Sequence, residues 1–264
     1  MRYLKTICPT PILNRSDFST AFEKKEKDLL KDSTTLFKEL EMIAFPGTIF
    51  TIVSIKPNFI LEVETEDYPS QYPIFIDSRF GELSENQETS PSKKFPLTEV
   101  IIERLHQAIG LPYIWGGNYS KGIPEMIQYY PPSHHSLPFI DPFWTFKGLD
   151  CSGLLYEATN GMTPRNTSEL LFFGEGVAIA GLNEMEIASV IQPLDLIVWK
   201  GHIVISLNHR EVIESNHARG KVITRSTHSF LIELMKNKIP TNDPSLALEN
   251  KELFALRRLG IGQK

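Results

Sequence analysis

Asp150-Cys151-Ser152-Gly153-Leu154-Leu155-Tyr156, running on to Ala158 and stopped by Asn160-Gly161, reads as a short helix whose first turn carries a cysteine. Asp150 stands where a cap is expected, and the unpaired backbone N–H groups of a helix N-terminus favour an anion. The thiolate is the reactive form of cysteine, so a thiol placed there is a candidate nucleophile. The same N–H groups can receive the oxyanion of a tetrahedral intermediate. On the helix alone, a buried packing cysteine explains Cys151 equally well. A nucleophile also needs a base from elsewhere in the chain.

Downstream, Asp195-Leu196-Ile197-Val198-Trp199, His202-Ile203-Val204-Ile205-Ser206 and Glu211-Val212-Ile213-Glu214-Ser215 read as successive strands. Helix first and antiparallel sheet afterwards is an α+β layout. His202 opens its strand, where it can reach a helix N-terminus as the general base. Glu214 is placed to accept the second imidazole N–H and so fix the tautomer. A core histidine and a solvent-facing glutamate are the bland readings of these two, and His217 is a rival for the third position.

Upstream, residues 17–31 form a helical pattern with Phe18, Phe22, Leu29 and Leu30 on one face and Ser16 or Asp17 as its cap. The charge run Glu23–Asp28 within it reads as a solvated face. Residues 48–54, 59–64 and 72–76 are β-branched and aromatic, and suggest a small β-barrel. Residues 84–95 contain almost nothing apolar and read as a linker, followed by a helix from Leu97 to Ile109. The expected division is a helical segment 1–33, a barrel 34–83, the linker 84–95 and a second domain 96–264.

The 264 residues carry 27 basic and 32 acidic side chains, a net charge of −5, which argues against a nucleic-acid partner. Neither a Walker loop nor a Gly-x-Gly-x-x-Gly fingerprint is present, so no cofactor is expected. His134-His135 lacks the spaced partners of a metal site. The two cysteines, Cys8 and Cys151, are compatible with a single disulfide that a chain of this length does not need. No run of about 18 apolar residues predicts a membrane span. Lys5 and Pro9 break up any leader-like stretch, so a native start at Met1 implies a cytoplasmic protein, and any other start a periplasmic or secreted one.

Pro112-Tyr113-Ile114-Trp115-Gly116-Gly117, Asp150-Cys151-Ser152-Gly153-Leu154, Pro164-Arg165, Pro193-Leu194-Asp195-Leu196 and His202-Ile203-Val204-Ile205, in this order, resemble the NlpC-type cell-wall cysteine peptidases over residues 97 to about 225. The resemblance implies a papain-like catalytic domain with Cys151 as nucleophile, His202 as base and Glu214 as the polar third residue. It also implies substrate contacts at Tyr113, Trp115, Asp150, Ser152 and Arg165. The expected substrate is a peptidoglycan stem peptide cut between γ-D-glutamate and the diamino acid.

Residues 34–83 resemble the bacterial Src-homology-three-like barrels that precede such domains, with Phe59 where tryptophan is common. In two-domain relatives of that kind a short peptide with a free N-terminal L-alanine is the substrate, its amine held by acidic groups such as Asp150. Three features depart from the family pattern. The stretch between Gly117 and Asp150 is long, and its Tyr129, Tyr130, Phe139, Phe143, Trp144 and Phe146 read as a lid or cleft wall. Leu194 stands in place of the usual glycine before Asp195, and the polar residue often found after Pro-Arg is missing from Ser168–Leu171. A papain-like amidase or acyltransferase and a non-catalytic binding module are the competing functions.

Overall fold

A computed structural model describes residues 2–32, 36–86, 93–133 and 141–260. The chain forms two units, Met1–Ser92 with Ile114–Asp150, and Lys93–Tyr113 with Cys151–Lys264.

In the first unit, seven strands make an antiparallel sheet: Leu40–Ala44, Thr10–Leu13, Ile74–Asp77, Ile60–Glu64, Ile49–Ile55, Tyr3–Thr6 and Gly81–Ser84, in that spatial order. The three expected strands are among them. The N-terminal region, expected as a helical segment, contributes two more, because Leu4 pairs with both Phe50 and Leu83, and Pro11 lies opposite Ile43. Residues 87–92, half of the expected linker, lie outside the described residues.

Helix Phe18–Lys31 buries Phe18, Phe22 and Leu29, whereas Leu30 is exposed. Asp17 does not cap this helix with its side chain, its carboxylate being taken by Arg15. The run Glu23–Asp28 is not wholly solvated either. Lys25 falls on the apolar face, at the spacing that joins residues 18, 22, 25 and 29, and is buried. Its Nζ lies 3.4 Å from the centre of the Phe146 ring, among Phe22, Phe37 and Trp144, and donates to the Trp144 carbonyl at 3.1 Å. Burial holds this amine well below the usual lysine range.

The long segment after Gly117 is part of this core. Trp144 and Phe146 are almost wholly buried, packed with Phe18, Phe22, Ile123 and Met126, and Tyr129, Tyr130 and Phe143 pack against the same cluster. These aromatics therefore build the first unit instead of a lid, since covering them removes more apolar surface from water than any exposed arrangement. Phe139 and the His134-His135 pair lie outside the described residues. Gly116 has φ +70°, and a Cβ there would stand 2.5 Å from the Leu40 carbonyl oxygen. Beyond it, the fully buried Asn118 side chain serves as a short strand. Its Nδ2 donates to the Ile43 carbonyl and its Oδ1 accepts from the Ile43 N–H, both at 2.8 Å.

The second unit is built on a sheet whose strands run Glu175–Val177, Leu253–Arg258, Asp195–Trp199, His202–Asn208, Glu211–Asn216 and Lys221–Ser226, all antiparallel, with Ile239–Pro240 added parallel to Leu253–Arg258. Ile197, Val204, Val212, Phe254 and Leu256 meet Ile187, Phe230 and Leu231 in one core. Helices Thr98–Gln107 and Cys151–Ala158 pack together, and the latter also packs on the strands of His202 and Glu214. Among the described residues no helix is long and apolar enough to cross a membrane.

Replacing Asn118 by Asp keeps the shape but removes the donor to Ile43 and buries a carboxylate beside a carbonyl oxygen. Urea denaturation is expected to show a loss of roughly 2–3 kcal/mol for Asn118→Asp, and an unchanged midpoint would contradict the strand-like role of this side chain.

Candidate active site

Helix Cys151–Ala158 is too short, and with Gly153 too poor in intrinsic propensity, to stand by itself. Burial stabilises it instead, since Cys151, Ser152, Gly153, Leu154, Leu155 and Tyr156 are all buried. Its end is set by Gly161, at φ +71°, whose N–H donates to the Tyr156 carbonyl at 2.7 Å. Cys151 is therefore fixed as the first helical residue by the packing of everything that follows it.

The partner arrives on a hairpin. Strands Asp195–Trp199 and His202–Asn208 are near-continuous apolar runs, as expected of a sheet covered on both faces. A two-residue turn, Lys200-Gly201, joins them, so that Trp199 pairs directly with His202. Gly201 takes φ +89° in this turn, and its carbonyl lies 4.0 Å from the Cys151 sulfur. At the other end of the hairpin Leu194 adopts φ +65° and donates its N–H to the Ser206 carbonyl at 2.8 Å. The position keeps the left-handed backbone that a glycine would take freely.

His202 is held between two groups. Its Nε2 lies 2.8 Å from Oε2 of Glu214, and Cys151 lies close enough to raise its proton affinity. The Trp199 ring leans on the imidazole at 4.9 Å. Glu214 is buried, and Asn216 donates its side-chain amide to Oε2 at 3.0 Å. Burial works against the imidazolium, but hydrogen bonds to Cys151 and Glu214 and the attraction of both outweigh it, and the His202 pKa is raised to about 9. Burial likewise works against the carboxylate, and the contacts with His202, Asn216 and Arg225 still leave Glu214 below the usual glutamate range. Because the folded His202 value lies above the ordinary 6.5, the stabilisation it brings is complete below about 6.5 and is lost as pH rises through about 9.

The other expected site residues fall into separate places. Arg165 and Ser152 are both buried, and the guanidinium donates to the Ser152 hydroxyl at 2.8 Å. The Tyr113 N–H donates to the Gly220 carbonyl, and its ring meets His217 edge-on at 5.2 Å. His217 thus stands at Tyr113, while Glu214 takes the bond to His202. Trp115 and Asp150 belong to the first unit, where Trp115 is 42% exposed and the Asp150 N–H donates to the Gly117 carbonyl at 2.8 Å. Asn216 was missed by sequence reasoning. Its position two residues after Glu214, on the same strand face, was the available signal. Among the described residues no cluster of His, Cys, Asp and Glu could hold a metal ion.

Both cysteines are free. Cys8 sits in a different setting, where burial and the charge of Glu125 push its thiol up to about 11. Iodoacetamide at neutral pH is expected to alkylate Cys151 and spare Cys8, as read by peptide mass mapping. Preferential labelling of Cys8 would contradict Cys151 as the nucleophile.

Comparison with known proteins bears on this geometry. No protein-family model matches the chain. It is 28% identical over 125 residues to the probable endopeptidase YafL of Escherichia coli K12, a match covering 44% of this chain and 40% of the relative, so less than half the length of that curated protein is spanned. The crystal structure of an NlpC/P60 family protein from Bacillus cereus ATCC 10987 superposes over 97% of this chain and 99% of its own, with a TM-score of 0.53 at 15% identity. The peptidoglycan hydrolase RipB from Mycobacterium tuberculosis aligns over 49% of this chain and 57% of its own, at 22% identity and a TM-score of 0.34. The chain resembles NlpC/P60 proteins in sequence and carries the papain-like α+β fold of that family.

Proposed function

Taking the NlpC/P60 fold as the premise, we propose that the chain is a cysteine peptidase acting on peptidoglycan stem peptides at the bond between γ-D-glutamate and the diamino acid. The observation that carries this reading is His202, under the electrostatic influence of Cys151 and held at 2.8 Å by the buried carboxylate of Glu214. A nucleophile, a base and an orienting group brought together make up the arrangement that acyl transfer through a covalent intermediate needs.

The Cys151 thiol gives its proton to His202, and the resulting thiolate attacks the amide carbonyl carbon. As the tetrahedral intermediate collapses, the C–N bond breaks and His202 gives its proton to the leaving amine of the diamino acid. Water then attacks the thioester, His202 takes up a proton from it, and the free γ-carboxylate leaves as the thiol is restored. Glu214 keeps the imidazole turned toward the sulfur throughout, and its charge favours the imidazolium that forms. Ser152, locked by Arg165, gives the first helical turn a fixed wall. Asp150 precedes the nucleophile in the chain and supplies a carboxylate suited to the free amine of an N-terminal L-alanine.

The endopeptidase assignment of the Escherichia coli relative supports the reaction class. The bond and the free amine rest on the motifs around Cys151 and on Asp150. Incubation with L-Ala-γ-D-Glu-meso-diaminopimelate and with its N-acetylated form tests them, with products read by mass spectrometry. Diaminopimelate is expected from the free-amine peptide alone, and kcat/KM is expected to decline as pH rises through about 9 with the loss of the His202 proton. Cys151→Ala is expected to keep the fold by circular dichroism and to lose at least about 10⁴-fold in kcat. Cleavage of neither peptide, or undiminished turnover by Cys151→Ala, would sink the reading.

A further inference from the structure

The carboxylate that orients His202 is itself held from behind. Glu214 gives Oε2 to His202 and Asn216, while its Oε1 lies 3.5 Å from Nη1 of Arg225. Arg225 comes from the adjacent strand, where it stands opposite Val212, and Ile223 stands opposite Glu214, so arginine and carboxylate are diagonal neighbours on one face. The guanidinium lies 5.2 Å from the Phe230 ring centre, and its Nη2 is paired with Glu233 of helix Thr227–Leu234. One planar cation thus spans two carboxylates and an aromatic face, an arrangement lysine cannot reproduce.

We propose that Arg225 is a positioning residue for the Cys151–His202 pair, fixing the rotation of the Glu214 carboxylate and balancing its charge so that Oε2 stays on the imidazole. The inference rests on the catalytic reading of that pair. A carboxylate orients an imidazole more strongly than a neutral group does, but it brings a full charge into a buried place, which is costly unless paired. Arg225 supplies that pairing without competing for Oε2. The charged and titratable groups around Glu214 are His202 from the neighbouring strand, Cys151 through His202, Arg225 from the strand on the other side, and Glu233 behind it.

Arg225 is also reachable from outside. It lines a cavity of about 860 Å³ with Asn216, Arg219, Lys221, Thr224 and Glu233. The Arg225 guanidinium stands between that cavity and Oε1, so shortening the side chain leaves its place to a free guanidinium ion.

The test compares wild type, Arg225→Ala and Arg225→Lys by two readouts against pH, namely kcat/KM on the tripeptide and the rate of Cys151 alkylation by iodoacetamide, which needs no substrate. Loss of a positive charge favours protonation of every neighbouring group, so Arg225→Ala is expected to move both limbs of the activity profile upward, by on the order of one pH unit. It is also expected to lower kcat/KM by about tenfold, as loss of an orienting partner commonly does. Arg225→Lys keeps the charge and is expected to hold the limbs near their wild-type positions at reduced kcat/KM. Guanidinium chloride at tens of millimolar is expected to restore Arg225→Ala severalfold more than sodium chloride at equal ionic strength.

An alanine variant whose limbs do not move and which guanidinium does not rescue would overturn the inference, whether or not its activity falls. If the alanine variant fails to fold, lysine-variant limbs displaced from wild type would overturn it equally. A wild-type alkylation profile that His202→Ala leaves unaltered is a separate result. It would remove the catalytic reading, and this inference with it.

Discussion

The placement of the Cys151 thiol near the His202 imidazole is the constraint on which the rest of the second unit converges. One group sits on the first residue of a helix, the other on the first residue of a strand 51 positions further along, and neither element has the length or propensity to hold itself in place. Packing does it. The helix is buried almost throughout, and the hairpin is closed by a two-residue turn that admits no slack between Trp199 and His202. The turn also brings the Gly201 carbonyl to the sulfur. The site is therefore only as well ordered as the apolar contacts that carry its two ends.

Electrostatics then sets what the site can do. For both His202 and Glu214 burial opposes the charged form, and for both the opposing contacts prevail. The result is a chain of alternating partners, thiol, imidazole, carboxylate and guanidinium, in which each charge is answered by the next. Such a chain tolerates burial because no member is left alone. Lys25 in the first unit shows the contrary case. Its amine is surrounded by aromatic rings and a single carbonyl, with burial the cause of its displacement from the usual range.

Much of this was legible in the sequence. The helix at 18–31, the strands near 49–55, 60–64 and 74–77, the helix at Cys151 and the hairpin at His202 all follow from periodicity, β-branched runs and turn residues. Glu214 could be placed because it follows His202 across one turn. What escaped depends on partners distant along the chain. Strand Thr10–Leu13 contains Pro11, which argues locally against a strand, and only pairing with Leu40–Ala44 makes it one. The aromatics after Gly117 gave no sign of which unit they would join, since Trp144 finds Phe22 across more than a hundred residues. Lys25 looked solvated because charge was weighed before face. Arg225 lay in a strand that alternation alone did not single out.

Rapid acid quench of a single turnover, followed by intact-protein and peptide mass spectrometry, tests the central claim most directly. With L-Ala-γ-D-Glu-meso-diaminopimelate as substrate, the expected result is an L-alanyl-γ-D-glutamyl adduct on Cys151, formed as diaminopimelate is released and lost as the dipeptide appears. Diaminopimelate released with no adduct on Cys151 at any time, or an adduct on another residue, would contradict it.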